Sequence, residues 1–159
     1  PKFTYGINHN FYWRNFDLGI VGTGVAGNQI VQSYRQQGDQ YANYTTAILD
    51  RWTGEGTSNR IPRVTNQNIN WQFSDLYVQD GDYLRISNLT LGYNFAPLIN
   101  QKWCSQCRLY FQAQNLITWT KYDGMDPEIG YGTQSWVSGV DIGYYPRPRT
   151  FLFGVNLSF

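Results

Sequence analysis

Phe151-Leu152-Phe153-Gly154-Val155-Asn156-Leu157-Ser158-Phe159 sets Phe151, Phe153, Val155, Leu157 and Phe159 on one side of an extended chain. Leu152, Gly154, Asn156 and Ser158 fall on the other. Successive side chains of a strand point to opposite faces, so this period of two predicts a strand with one apolar and one wetter face. Counted from Arg149, the stretch has the roughly 9–11 residues that a tilted strand needs to cross a bilayer. Strands of soluble sandwiches usually run nearer 5–6 residues.

The alternation recurs upstream. Phe3, Tyr5, Ile7, His9 and Phe11 alternate with Thr4, Gly6, Asn8, Asn10 and Tyr12. Trp13-Arg14-Asn15 reads as a short turn, after which Phe16, Leu18 and Ile20 resume against Asp17 and Gly19. A third strand is predicted over about 83–95, with Leu89, Leu91, Tyr93 and Phe95 on one face and Asn88, Thr90, Gly92 and Asn94 on the other. A fourth, over 108–119, sets Leu109, Phe111 and Ala113 against Tyr110, Gln112 and Gln114. Tyr, Phe or Trp stands near the ends of each apolar face, as in the aromatic girdles of membrane barrels.

Connection lengths sort these strands. Residues 13–15 and about 96–107 make the shorter links, and about 26–82 and 120–147 make the long ones. Membrane barrels keep short turns in the periplasm and long loops outside. With Phe159 at the periplasmic end, both long connections fall outside and both shorter ones inside. The expected class is therefore all-β, a transmembrane antiparallel β-barrel with long extracellular loops. Five strands leave edges unpaired in hydrocarbon, so residues 1–159 are read as the C-terminal part of a larger barrel. The opening Pro1-Lys2-Phe3, already inside a periodic segment and without a signal peptide, fits an exported protein seen in part.

Composition agrees. Aromatic residues make up 18% and charged residues 14%, against roughly 25% charged in a typical soluble domain. Mean hydropathy is nevertheless on the hydrophilic side, and no run approaches the roughly 18 apolar residues of a membrane helix. A net charge of +1 gives no case for a nucleic-acid partner. A secreted, aromatic-rich glycan-binding β-sandwich and a passive or structural barrel stand as the alternatives.

Several motifs carry competing readings. Gly22-Thr23-Gly24-Val25-Ala26-Gly27 matches a dinucleotide-binding pattern but lacks the βαβ unit that gives it meaning, so a glycine-rich strand end is expected. Cys104-Ser105-Gln106-Cys107 lacks further zinc ligands, His9 being the only histidine, and a local disulfide in a periplasmic turn is the favoured reading. Asp123, Asp126 and Glu128 fall short of a full calcium-ligand pattern and read as a solvated turn around Asp126-Pro127. No metal or other cofactor is expected. One histidine in a strand supports no Ser/His/Asp arrangement, and no enzyme is predicted. Residues 39–52 read as a short helix, with Tyr41, Tyr44, Ile48 and Trp52 at helical spacing. The long connections carry Tyr41, Tyr44, Trp52, Trp71, Tyr122, Tyr131 and Trp136, aromatic faces suited to a nutrient or a partner protein.

The chain resembles the C-terminal end of the SusC/RagA family, TonB-dependent outer-membrane transporters of Bacteroidetes. The resemblance runs through residues 1–18 (PKFTYGINHNFYWRNFDL), Val25-Ala26-Gly27-Asn28-Gln29-Ile30, Arg51-Trp52-Thr53 and Asn59-Arg60-Ile61-Pro62-Arg63. Its most specific block is Asp82-Tyr83-Leu84-Arg85-Ile86-Ser87-Asn88-Leu89-Thr90-Leu91-Gly92-Tyr93. Gln114-Asn115-Leu116, the run Thr120 to Glu128, and Tyr145-Pro146-Arg147-Pro148-Arg149-Thr150 through Phe159 complete it; the cysteine pair departs from it. The resemblance implies the last five strands of a barrel of about 22, with a plug domain and a TonB-contacting segment upstream of this chain. It further implies a SusD-like surface lipoprotein as lid, docked on the loop aromatics, and Phe159 as a signal to the barrel-assembly machinery. The expected setting is the bacterial outer membrane, with lipid against the apolar face. The expected activity is import of a glycan, peptide or other oligomer energised through TonB.

Overall fold

The computed structural model describes residues 1–35, 46–65, 72–99, 106–129 and 139–158. In chain order the strands are β1 (Phe3–Trp13), β2 (Phe16–Ala26), β3 (Gln29–Gln32), β4 (Val78–Asp80), β5 (Tyr83–Asn94), β6 (Gln106–Thr120), β7 (Val140–Asp141) and β8 (Thr150–Ser158). Helical structure among the described residues is confined to short turns, including α1 (Ala96–Ile99), and none is long and apolar enough to cross a membrane. The chain divides into two compact units: Pro1–Asn28, Gly81–Tyr122 and Tyr145–Phe159 form one, and Gln29–Asp80 and Asp123–Tyr144 the other.

The first unit is a five-stranded sheet in the order β1-β2-β5-β6-β8, every neighbour antiparallel. All five strands expected from the alternation are present. The sheet is not closed, since β1 and β8 each keep a free edge among the described residues. Register carries the sequence pattern across the whole sheet. Phe11 pairs with Leu18, Leu18 with Leu91, Leu91 with Phe111, and Phe111 with Phe153, so one row of apolar side chains crosses all five strands on one face. One residue along, Asn10, Gly19, Thr90, Gln112 and Leu152 form the row on the opposite face.

Nothing among the described residues covers the apolar face. Phe153 is 82% exposed, and Phe3, Ile7, Phe11, Val155 and Leu157 each exceed half. Soluble monomers rarely expose contiguous apolar patches beyond a few hundred Å², so a face of this kind calls for an apolar surrounding. Aromatic rings gather at its ends. At the Arg14-Asn15 hairpin, Trp13 stacks on Phe16 at 6.4 Å, Phe16 meets Tyr93 edge-on at 4.5 Å, and Tyr93 meets Phe95 at 4.5 Å. Phe3, Tyr5 and Trp119 stand at the other end. Phe111 packs against Phe151 and Phe153 at 6.0 and 5.0 Å, with Ala113 fully buried in the same face.

The opposite face is held together by polar contacts. Arg108 on β6 reaches over β5 to grip Asp17 on β2 through two hydrogen bonds, Nε to Oδ1 at 2.9 Å and Nη2 to Oδ2. Gly92 lies beneath this fork, and a Cβ there would collide with both Asp17 Oδ1 and the guanidinium. The guanidinium also sits 5.2 Å from the Tyr110 ring, which in turn covers Gly154, its cross-strand partner. Gln112 Nε2 donates to Asn88 Oδ1 at 2.9 Å, the hydroxyls of Thr23 and Ser87 bond at 2.7 Å, and buried Arg85 donates through Nε to Thr118 Oγ1 at 2.9 Å.

One irregularity keeps the two faces distinct. Leu89 and Leu91 are odd-numbered, whereas Leu84 and Ile86 are even, so unbroken alternation would put the latter pair on the polar face. The register instead jumps: Asn88 pairs with Val21 but Ile86 with Gly22, leaving Ser87 as a bulge. Opposite it on β6, Asn115 adopts a left-handed φ of 52° that its side chain tolerates better than most. Its Nδ2 donates to Pro148 O at 3.1 Å. The bulge returns Leu84 and Ile86 to the apolar face and Arg85 to the polar one.

Three expectations need correction. The predicted helix over 39–52 is, within the described residues, one 3-10 turn at Thr46–Asp50. Trp52 lies outside it, because Arg51 pairs with Ile61 and the Trp52 N–H donates to Ile61 O at 2.9 Å, satisfying the backbone without a helix. Cys107 belongs not to a turn but to β6, half-buried opposite Leu157, because β6 starts two residues earlier than alternation suggested. Asp126 is buried, not solvated; its Oδ1 accepts the Glu128 N–H at 2.9 Å and closes the Asp126-Pro127 turn.

The second unit is a three-stranded sheet in the order β4-β3-β7, with β3 antiparallel to β4 and parallel to β7. Ile30, Gln32 and Asp141 are its most deeply buried side chains. Asp141 Oδ1 accepts the N–H groups of Gly143 and Tyr144 at 2.9 and 3.2 Å.

Candidate functional site

An open cleft in the second unit has a volume of about 810 Å³. One wall is the loop 51–63. Thr57 closes its first turn: its hydroxyl accepts the N–H groups of Thr53 and Gly54 at 2.9 and 3.1 Å and donates to Gly54 O at 2.7 Å. Gly56 provides the positive φ of 80° that this turn demands. Ser58 Oγ accepts the N–H groups of Arg60 and Ile61 at 3.3 and 3.1 Å and turns the chain back. The Arg51–Ile61 bridge then locks the two ends together. Through these contacts Trp52, Arg60 and Arg63 come to line one cleft.

The facing wall is the segment 74–79, a 3-10 turn at Asp75–Tyr77 running into β4. Gln79 is fixed at both ends of its amide: Nε2 donates to Gln32 Oε1 at 3.0 Å, and Oε1 accepts the Asp123 N–H at 3.1 Å. Burial pushes the Tyr77 phenol above its ordinary pKa.

Of the aromatic residues singled out by the sequence, Trp52 lies on the cleft at 39% exposure. Tyr122 is 6% exposed, enclosed within the first unit, with its backbone N–H on Thr120 Oγ1 at 3.0 Å. Tyr41, Tyr44, Trp71, Tyr131 and Trp136 lie outside the described residues, as do Cys104 and Phe159. Cys107 forms no disulfide with another described residue, and no group of three metal-ligating side chains occurs among them. Residues Gly22 to Ala26 run within antiparallel β2, where the Tyr5 ring covers Gly24. Sequence reasoning left Arg60 and Arg63 without a role. A signal was present: no Asp or Glu occurs between Glu55 and Asp75, a run that holds both arginines.

A second polar cluster fastens the end of the large sheet nearest Asp82. Asp82 Oδ1 accepts the Asn28 N–H at 2.7 Å, Gly81 N–H donates to Asn28 O at 2.9 Å, and Thr120 Oγ1 donates to Asp82 O at 2.8 Å. Hydrogen bonds from the Asn28 and Gly27 N–H groups hold the Asp82 carboxyl below the usual carboxylate range. Gly27 has a φ of 67°, and a Cβ there would strike the Lys2 side chain.

An antiparallel meander with one uncovered apolar face, one hydrogen-bonded polar face and aromatic rings at both ends is sheet of the outer-membrane barrel class. Comparison with known proteins narrows this. The chain is 32% identical over 166 residues to TonB-dependent receptor P3 of Formosa agariphila, a match covering 100% of this chain and 16% of that protein. It is 29% identical over 163 residues to the TonB-dependent receptor SusC of Bacteroides thetaiotaomicron, covering 97% of this chain and 15% of that protein. Its fold matches the RagAB peptide importer in the "open-open" state with a TM-score of 0.76 at 25% identity, covering 98% of this chain and 17% of that one. The "closed-closed" state gives 0.77. No protein-family model matches. The chain belongs to the TonB-dependent receptors of the SusC/RagA kind, and it spans less than a fifth of the length of those relatives.

Proposed function

We propose that this chain is part of the wall of an outer-membrane importer that draws an oligomeric nutrient through a barrel with energy relayed by TonB. The observation that carries the reading is the two-faced sheet: a row of apolar side chains across all five strands, with hydrogen-bonded polar side chains on the face behind it. In this reading Phe151, Phe153, Val155 and Leu157 face lipid, and Gly154 and Asn156 face the lumen. The long connections lie outside the cell, and a SusD-like lipoprotein closes over them. The wider protein supplies the remaining strands, a plug and the TonB-contacting segment, and the barrel-assembly machinery reads the Phe159 end. The chain performs no bond chemistry; its work is binding and passage. Likeness to receptors and to an importer supports transport over catalysis.

The test uses the intact protein in its own envelope. Uptake of labelled oligomers should require both this protein and TonB, and mild detergent should bring a surface lipoprotein out with the barrel. Uptake that survives loss of TonB would rule out energised import. Recovery of the barrel alone under several mild conditions, with normal uptake after deletion of a neighbouring lipoprotein, would remove the lid.

A further inference from the structure

We propose that the cleft between residues 52–63 and 74–79 is a capture site for acidic oligosaccharide, one whose sugars carry carboxylate or sulfate groups. The inference deepens the import reading and rests on it for its physiological meaning, though binding itself is independent of transport.

Charge is the first argument. Arg60 and Arg63 line the cleft, and neither forms an ion pair or a side-chain hydrogen bond with a described residue. Both guanidiniums are exposed to solvent, and a carboxylate beside them would neutralise them. Here the sequence from 56 to 74 carries none, and Asp75 on the facing wall does not pair with them. A guanidinium presents a planar fork of donors that fits a carboxylate or sulfate through two parallel bonds. Two such forks on one wall raise the local concentration of an anionic ligand before contact.

The rest of the wall argues for a sugar. Trp52 offers an aromatic surface beside the arginines, held there by its backbone bond to Ile61. An indole face accepts the C–H face of a pyranose ring while guanidiniums take the charged substituent, the division of labour an acidic sugar requires. Asn59 and Ser74 add amide and hydroxyl groups for ring hydroxyls. A volume of about 810 Å³ exceeds a single sugar ring and suits a short oligomer.

Full-length protein, purified in detergent, would be titrated calorimetrically with short oligogalacturonate, its fully methyl-esterified form, a sulfated galactan oligomer and an oligoglutamate peptide. At least one acidic sugar should bind, and esterification should weaken oligogalacturonate by about tenfold or more, the loss expected when charge-assisted bonds become neutral ones. The R60Q/R63Q variant should lose the preference for acid over ester, and W52A should weaken both forms alike. The proposal is overturned if neither acidic sugar binds, if the ester binds as well as the acid, if R60Q/R63Q keeps the preference, or if oligoglutamate binds more tightly than both sugars. The ester comparison needs no substitution, so misfolding of a variant cannot rescue the idea. Loss of acidic-sugar binding with TonB-dependent uptake of another oligomer intact would sink this inference alone. Binding without any TonB-dependent uptake would sink the import reading and leave the site standing.

Discussion

The two units solve the problem of holding a chain in place by opposite means. The five-stranded sheet keeps long strands in unbroken neighbour-to-neighbour order and leaves its apolar side chains uncovered. The smaller sheet has strands of two to four residues and buries Ile30, Gln32 and Asp141 instead. Its turns rest on side-chain hydroxyls and carboxylates such as Thr57, Ser58 and Asp141. The first draws its order from the backbone ladder and its surroundings, and the second from local side-chain bonds. A substitution should therefore act differently in each: by polarity and depth in the sheet, by the hydrogen bond it removes in the loops.

The largest effect is expected where that contrast is sharpest. Val155→Arg places a charge on the apolar face at mid-strand and should cost about 2–4 kcal/mol of barrel stability if that face meets lipid. Asn156→Arg, one residue on, should cost far less. Heat-modifiable migration of the assembled barrel in detergent gels would measure both, and equal losses would erase the difference between the faces.

A smaller effect is expected at Gly92. Alanine there forces the Arg108–Asp17 fork apart, because the new Cβ occupies the space of the carboxylate and guanidinium. The partly exposed pair would be left imperfectly bonded, at a cost of about 1–3 kcal/mol. The double variant Gly92→Ala with Asp17→Asn should then lose less than the sum of the two single changes, as expected for groups in one contact network. Strict additivity in chemical denaturation would show that the glycine and the ion pair act separately.

The smallest concerns Asp82. Its carboxyl lies below the ordinary range because two backbone N–H groups bond its ionised form. A depressed acid stabilises the fold above its unfolded pKa, about 3.9, and that contribution disappears as pH falls through the folded value. Amide exchange at Asn28, compared with an internal β2 amide, should accelerate on acidification below about pH 4. Asp82→Asn should flatten this response; an unchanged acid dependence would show that the carboxylate is not what fastens this end.

Much of the large sheet was legible because a half-wetted strand must alternate, and Phe151 to Ser158 or Phe3 to Tyr12 can be read without their neighbours. The Ser87 bulge was not legible, since a change of phase appears only when Leu84 and Ile86 are seen beside Gly22 and Gly24. The Asp17–Arg108 pair joins residues 91 positions apart, a distance over which periodicity carries no information. The cleft had a partial signal. Trp52 stood out as an aromatic, whereas the absence of Asp and Glu from 56 to 74 was not read, and the Arg51–Ile61 bridge that unites them is tertiary. Within the described part of 39–52 the expected helix stops short of Trp52 for the same reason: helical spacing was present, yet Trp52 found its backbone partner at Ile61.

The Ser87 bulge also limits how this sheet can change over evolutionary time. Removing Arg85 or Ile86 with the bulge kept would exchange the apolar and polar sides of the start of β5, whereas removing Ser87 itself would leave Asn88 on Val21 and Ile86 on Gly22 and keep both sides. Away from Ser87, insertions and deletions within β5 must come in twos, and the bulge is the one place where a single residue can be lost without changing sides. A loop transplanted from a relative onto this strand would have to be joined before Tyr83, so that the extra residue stays with the host.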